Sequence, residues 1–191
     1  MRGFCIFAQN LSQMLRYRAD LRTLVFVAVY FTFAIIPWIY WDSLTTWQIV
    51  AFVLVNCYLS FTCAVIVHNT IHAPIFHSQF LNKIFQSILS LTYGHPVSGY
   101  VPGHNFSHHK YIQSNKDAIR TSKARFDINI LNQLSFFFLM SGSIIRDEFR
   151  FVKKVKDARP VWFRQYMFEL VLVFAVKIIA AIINWKCFLL F

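Results

Sequence analysis

The sequence predicts an all-α integral membrane protein: a transmembrane helical hairpin, then cytoplasmic or interfacial helices carrying two histidine boxes, then a further transmembrane helix. Three observations predict it. Of 191 residues, 57% are hydrophobic and only 14% charged, and the mean hydropathy is +0.49, too apolar for an ordinary water-soluble domain. The apolar residues come in uncharged runs of spanning length. The 19 Lys and Arg against 8 acids lie between those runs, as membrane orientation requires, and this placement argues against nucleic acid as the partner.

Residues 23–41 carry no charge and are long enough to cross a hydrocarbon core of about 30 Å. A short turn around Asp42 follows, and residues 47–67 form a second uncharged run. Trp38, Trp41 and Trp47 fall where interfacial aromatics belong. The two runs make a hairpin, so His68 emerges on the side of the amino terminus. The preceding segment has Arg2, Arg16, Arg18 and Arg22 but no small-residue cleavage site, and reads as the flank of a retained first span. Residues 80–93 are too short to span and are bounded by Gly94 and Pro96, which fits an in-plane amphipathic helix.

The apolar patch 128–145 is assigned to the interface because the segment after it, Arg146 to Arg164, carries seven Lys/Arg and belongs in the cytoplasm. On this topology 17 of the 19 basic residues share one side, Lys177 and Lys186 being the exceptions. A last span is expected at about 167–187, with Glu169 near the interface and Lys177 facing protein or snorkelling. The chain ends in that apolar run, and further sequence is expected beyond Phe191. Cys5, Cys57, Cys63 and Cys187 form no Cys-x-x-Cys pair and suggest neither a disulfide framework nor an iron–sulfur site.

All seven histidines lie within 42 consecutive residues, from His68 to His109. They form two boxes, His68-x3-His72 and His104-x3-His108-His109. On an α-helix, residues four apart share a face, so His68 with His72 and His104 with His108 can each direct two imidazoles at one point. His109, one step round, is left to a second metal or to the other side of the same pocket. Neutral imidazole suits iron, copper or zinc, and the region is too poor in carboxylates for calcium or magnesium. Asn69, Asn105 and Asp117 are near enough to receive the other ring N–H of a bound imidazole, though an Asn beside a helix end also serves as a cap. His77 and His95, the latter before Pro96, read as loop residues.

These boxes, at the end of a second span and again a few dozen residues on, with His108-His109-Lys110-Tyr111 and Asp117 after them, resemble the membrane fatty acid desaturases and their hydroxylase and ketolase relatives. The resemblance covers roughly residues 23–138. It implies metal ligation by His68, His72, His104, His108 and His109, a non-haem centre of two irons, and O2-dependent introduction of a double bond into a lipid acyl chain. It also implies an electron donor such as cytochrome b5 or ferredoxin, and boxes facing the cytoplasm from the cytoplasmic membrane or the endoplasmic reticulum. The family carries a third histidine box, and this chain has no histidine after His109. It is therefore expected to be a single desaturase-like domain incomplete at its carboxyl end, or a degenerate member. Other readings are a hydroxylase or ketolase acting on sterol, carotenoid or alkane, and a non-catalytic membrane protein holding zinc or haem.

Overall fold

The computed structural model describes residues 13–117, 119–121 and 129–191. Arg2, Lys123, Arg125 and the start of the expected 128–145 helix lie outside the described residues. Among the described residues the chain is helical, without a strand beyond one isolated bridge: α1 (Asp20–Tyr40), α2 (Thr46–His72), α3 (Gln79–Tyr93), α4 (Val97–Val101), α5 (Asn129–Val155), α6 (Pro160–Ile183) and α7 (Trp185–Leu190). Three stretches, Asp20–Ser43, Thr46–His72 and Pro160–Ile183, are long and apolar enough to cross a membrane. Their side chains point outward: Ile39, Leu54, Phe61 and Ile182 are 67%, 66%, 69% and 78% exposed. Water would not tolerate that much contiguous apolar surface, whereas lipid does. The protein is a multi-pass membrane protein.

The helices divide into two compact units, one comprising the residues up to Pro96 together with Phe168–Phe191, the other Val97–Met167. In the first unit, α1 and α2 pack antiparallel through a tight connection. Thr45 caps α2 reciprocally: its hydroxyl accepts from Gln48 N (3.4 Å), and Gln48 Oε1 accepts from Thr45 N (2.8 Å). Deep in the pair, buried Asn56 donates through Nδ2 to the carbonyls of Phe52 (2.9 Å) on its own helix and Phe33 (3.2 Å) on α1. In lipid, where packing gains no hydrophobic drive, such an amide holds two spans in register.

After α2 the chain turns at Pro74 and is clamped. Asn82 Oδ1 accepts from Phe76 N (3.0 Å), while its Nδ2 donates to the carbonyls of Phe76 and Ser78 (2.9 Å each). The segment before α1 pairs with the same turn, Arg16 N to Ile75 O and His77 N to Met14 O. From this clamp α3 runs back beside α2. Phe85, early in α3, meets Phe76 edge to face, and Thr92, in its last turn, shares a hydrogen bond with Cys63. Cys63 lies nine residues before His72, about 13 Å along the helix. The hydroxyls of α3 permit this close packing because each is satisfied locally. Ser87, Ser90 and Thr92 donate to the carbonyls of Lys83, Gln86 and Leu89 and are buried.

The end of α3 explains the charge inside the third span. Gly94 closes the helix in the left-handed region, φ +69°. Lys177 of α6 donates through Nζ to the Gly94 carbonyl at 2.7 Å. An ammonium at a helix carboxyl terminus meets the negative end of the macrodipole, so protein holds the Lys177 head group while its stem stays exposed. Gly94→Ala is expected to destabilise by about 1–2 kcal/mol through left-handed strain. Lys177→Met should lose about 1.5–3 kcal/mol with the charged hydrogen bond. Thermal unfolding in detergent checks both, and a wild-type midpoint for Lys177→Met would rule out this cap as a stabilising contact.

Candidate metal centre

In the first unit, His68 and His72 occupy the last two turns of α2. Their rings sit edge to face with centroids 5.2 Å apart, the neighbours that the four-residue spacing predicts. Asn69 between them is exposed, and its backbone carbonyl takes the Ala73 N–H that closes the helix (2.9 Å). His77 is an exposed residue of the clamped turn, and His95 follows the Gly94 cap.

In the second unit the box departs from α-helical spacing. α4 passes into a π-helical turn over Pro102–His108, and the N–H of His109 bonds to the carbonyl of His104, five residues back. Such a turn winds wider than an α-helix and brings residues five apart onto one face. The consequence is direct: His104 Nε2 and His109 Nε2 lie 3.1 Å apart, while the His104 and His108 rings stack at 5.6 Å. The partner brought to His104 is thus His109, not the i+4 residue that an ordinary helix would supply. The wide turn sits against α5, with Ile144 beside Gly103 at ordinary contact distance. The α-helical pattern resumes at Ile112, which donates to His108 O.

The other ring nitrogens are held as well. His108 Nδ1 lies 2.9 Å from Asp117 Oδ2. An ionised carboxylate only accepts, so Nδ1 bears the hydrogen and Nε2 keeps its lone pair for a metal. Asp117 is buried and also accepts from Gln113 N and Ile119 N, each at 2.9 Å. Burial works to raise its pKa, but the two backbone donors and His108 together outweigh it and hold the carboxyl below its ordinary value. Gln113 reaches its position at φ +60°, a conformation that costs a non-glycine residue about 1 kcal/mol. Its Oε1 is tied to Thr121 N and Oγ1 at 3.0 and 3.1 Å.

Sequence reasoning missed Tyr100. Its hydroxyl lies 3.2 Å from His104 Nδ1, and its ring stacks on the imidazole at 4.9 Å with a 14° tilt. Tyr100 stands four residues before His104, a spacing that could have drawn attention to it. Asn105, a candidate support, has its Oδ1 buried without a hydrogen-bond partner.

The donor set of the second box fits a transition metal. Two ring nitrogens approach to 3.1 Å only with a proton or a cation between their lone pairs. Two ligands each about 2.1 Å from one metal, at a right angle, lie about 3.0 Å apart. Neutral imidazoles backed by a carboxylate match iron of the non-haem type, and the buried, unpartnered Asn105 Oδ1 leaves one further acceptor in the same turn.

Comparison with known proteins agrees with the histidine pattern. Residues 45–191 match the family model described as fatty acid desaturase. Comparisons with curated proteins and with solved structures gave no match. With both boxes and more than three quarters of its length inside the matched region, the chain belongs to the fatty acid desaturase family, a family of membrane oxidoreductases.

Proposed function

We propose that this chain is an acyl-lipid desaturase component in which the two boxes, His68/His72 and His104/His108/His109, supply ligands to one non-haem centre of two irons. The observation that carries the reading is the second box, where the His104–His109 approach, the Asp117-held His108 and the family match coincide. Bound there, iron supplies the O2 activation that removes two hydrogens from neighbouring carbons of an acyl chain.

The protein's own residues do the rest. Asp117 holds His108 in the tautomer that offers Nε2. His104 must keep its hydrogen on Nδ1 when Nε2 ligates, so the Tyr100 oxygen then acts as acceptor. The hairpin and the outward apolar faces keep an acyl chain in its own solvent. The boxes and amino terminus face the cytoplasm on this reading, supported by the grouping of 17 of 19 basic residues. The 128–145 patch lies at the interface, where α5 is amphipathic and ends in Lys153 and Lys154. Lys110 and Lys116, set over the Tyr111 ring, offer a positive surface to an acidic electron carrier of the cytochrome b5 or ferredoxin kind.

Metal analysis of the purified protein should find iron, and His108→Ala or His72→Ala should lower its content. Stoichiometric zinc, or no metal, would reject the proposal. Asp117→Asn should weaken iron binding about 10–100-fold by freeing the His108 ring. Tyr100→Phe should weaken it by less, since the stacking survives. Competition with a chelator reads both, and unchanged affinity in Asp117→Asn would remove the carboxylate from the account. Mass spectrometry of lipids from cells expressing the gene separates desaturation, which removes two hydrogens, from hydroxylation, which adds one oxygen.

A further inference from the structure

Beyond the box, the second unit contains a line of aromatic rings that leads to a buried acid. Phe106, inside the box itself, lies 5.4 Å from Phe151 of α5, ring centre to ring centre. Phe151 meets Trp162 of α6 edge to face at 5.1 Å. Trp162 stacks on Tyr166 at 5.5 Å with a 10° tilt. The Tyr166 hydroxyl is hydrogen-bonded to Glu148 of α5. Tyr166 and Glu148 are 4% and 3% exposed. A buried phenol paired with a buried carboxylate has desolvation to overcome, and packing alone would favour a phenylalanine against an apolar residue there.

We propose that Trp162, Tyr166 and Glu148 form an electron-release relay that discharges the iron centre when it is oxidised without an acyl chain to attack. The inference rests on the iron reading above. Electrons arriving from a carrier protein have too little driving force to reside on an aromatic ring, so the line does not serve their entry. A strongly oxidising centre can instead draw an electron outward from indole and phenol. The phenol yields its electron readily only when its proton has somewhere to go.

In the proposed step, Tyr166 gives one electron, by way of Trp162, to the oxidised iron centre and its phenolic proton to Glu148. This leaves a neutral tyrosyl radical, a protonated carboxyl, and a centre reduced by one electron. A one-electron reductant of the class that supplies the centre in turnover then restores the phenolate oxygen, and Glu148 returns the proton. The histidine ligands, otherwise the nearest oxidisable groups, are spared.

The test uses iron-loaded protein in detergent, exposed to O2 without lipid substrate. Iron content is measured first, then the frozen sample is read by electron paramagnetic resonance, and oxidised histidine is mapped by mass spectrometry. The relay predicts a tyrosyl signal in wild type and in Tyr58→Phe, an exposed control. It predicts loss of that signal in Tyr166→Phe, a smaller signal in Glu148→Gln and Trp162→Phe, and more oxidation of His104, His108 and His109 in all three. A protein that binds iron and consumes O2 but gives no signal sensitive to Tyr166, with equal histidine damage in wild type and variants, overturns the relay and leaves the iron reading intact. Protein that binds no iron removes both.

Discussion

One backbone hydrogen bond, from the N–H of His109 to the carbonyl five residues back at His104, sets the chemistry of the second box. An ordinary helical turn would give that N–H to Asn105 and place His108 next in line above His104. The wider turn instead brings the His104 and His109 ring nitrogens to 3.1 Å and turns His108 toward Asp117. π-helical turns interrupt favourable α-helical geometry and persist where something else gains from them. Here the gain is three imidazoles given distinct tasks within six residues.

The surroundings hold that turn from two sides. Gly103 lies against Ile144 of α5, and Asp117 gathers the residues that follow the box, with Gln113 strained and tied at both ends. The first box has a simpler foundation. Its two histidines ride on the last turns of α2, and the turn that follows is fixed by the Asn82 clamp and by the strand-like pairing of Arg16 with Ile75. Helical backbone thus carries the candidate ligands, and the turn after the second box carries Asp117.

The helices of spanning length and the histidine pattern are legible in the sequence because they rest on run length and on four-residue spacing, which are local. The expected 47–67 run falls inside the helix Thr46–His72, and the expected 23–41 run overlaps Asp20–Tyr40, ending one residue beyond it. Asp117 was legible as an acid near the box, and the structure sets it on His108. What sequence could not supply depends on contacts far along the chain. The serines and threonine of α3 give it an amphipathic pattern that suits an interface. Their hydroxyls bond to their own helix and are buried, and α3 packs against α2. Lys177 is expected from sequence to face protein or snorkel, and its acceptor, the Gly94 carbonyl 83 residues away, is not something local sequence reveals. The π-helical register has no compositional signature, so four-residue spacing pairs His104 with His108, leaves His109 to a second metal or the other side of the pocket, and gives no sign of Tyr100. Asn69, a candidate ring support in the sequence, has an exposed side chain at the end of α2.

The central claim is that nitrogens from both histidine boxes surround iron. X-ray absorption at the iron edge of the purified protein measures that shell directly. The account predicts a first shell of nitrogen and oxygen with the outer-shell scattering of imidazole rings, and a weaker imidazole contribution in both His72→Ala and His109→Ala. A sulfur-rich shell, a shell without imidazole, or a spectrum unchanged by either substitution would contradict it.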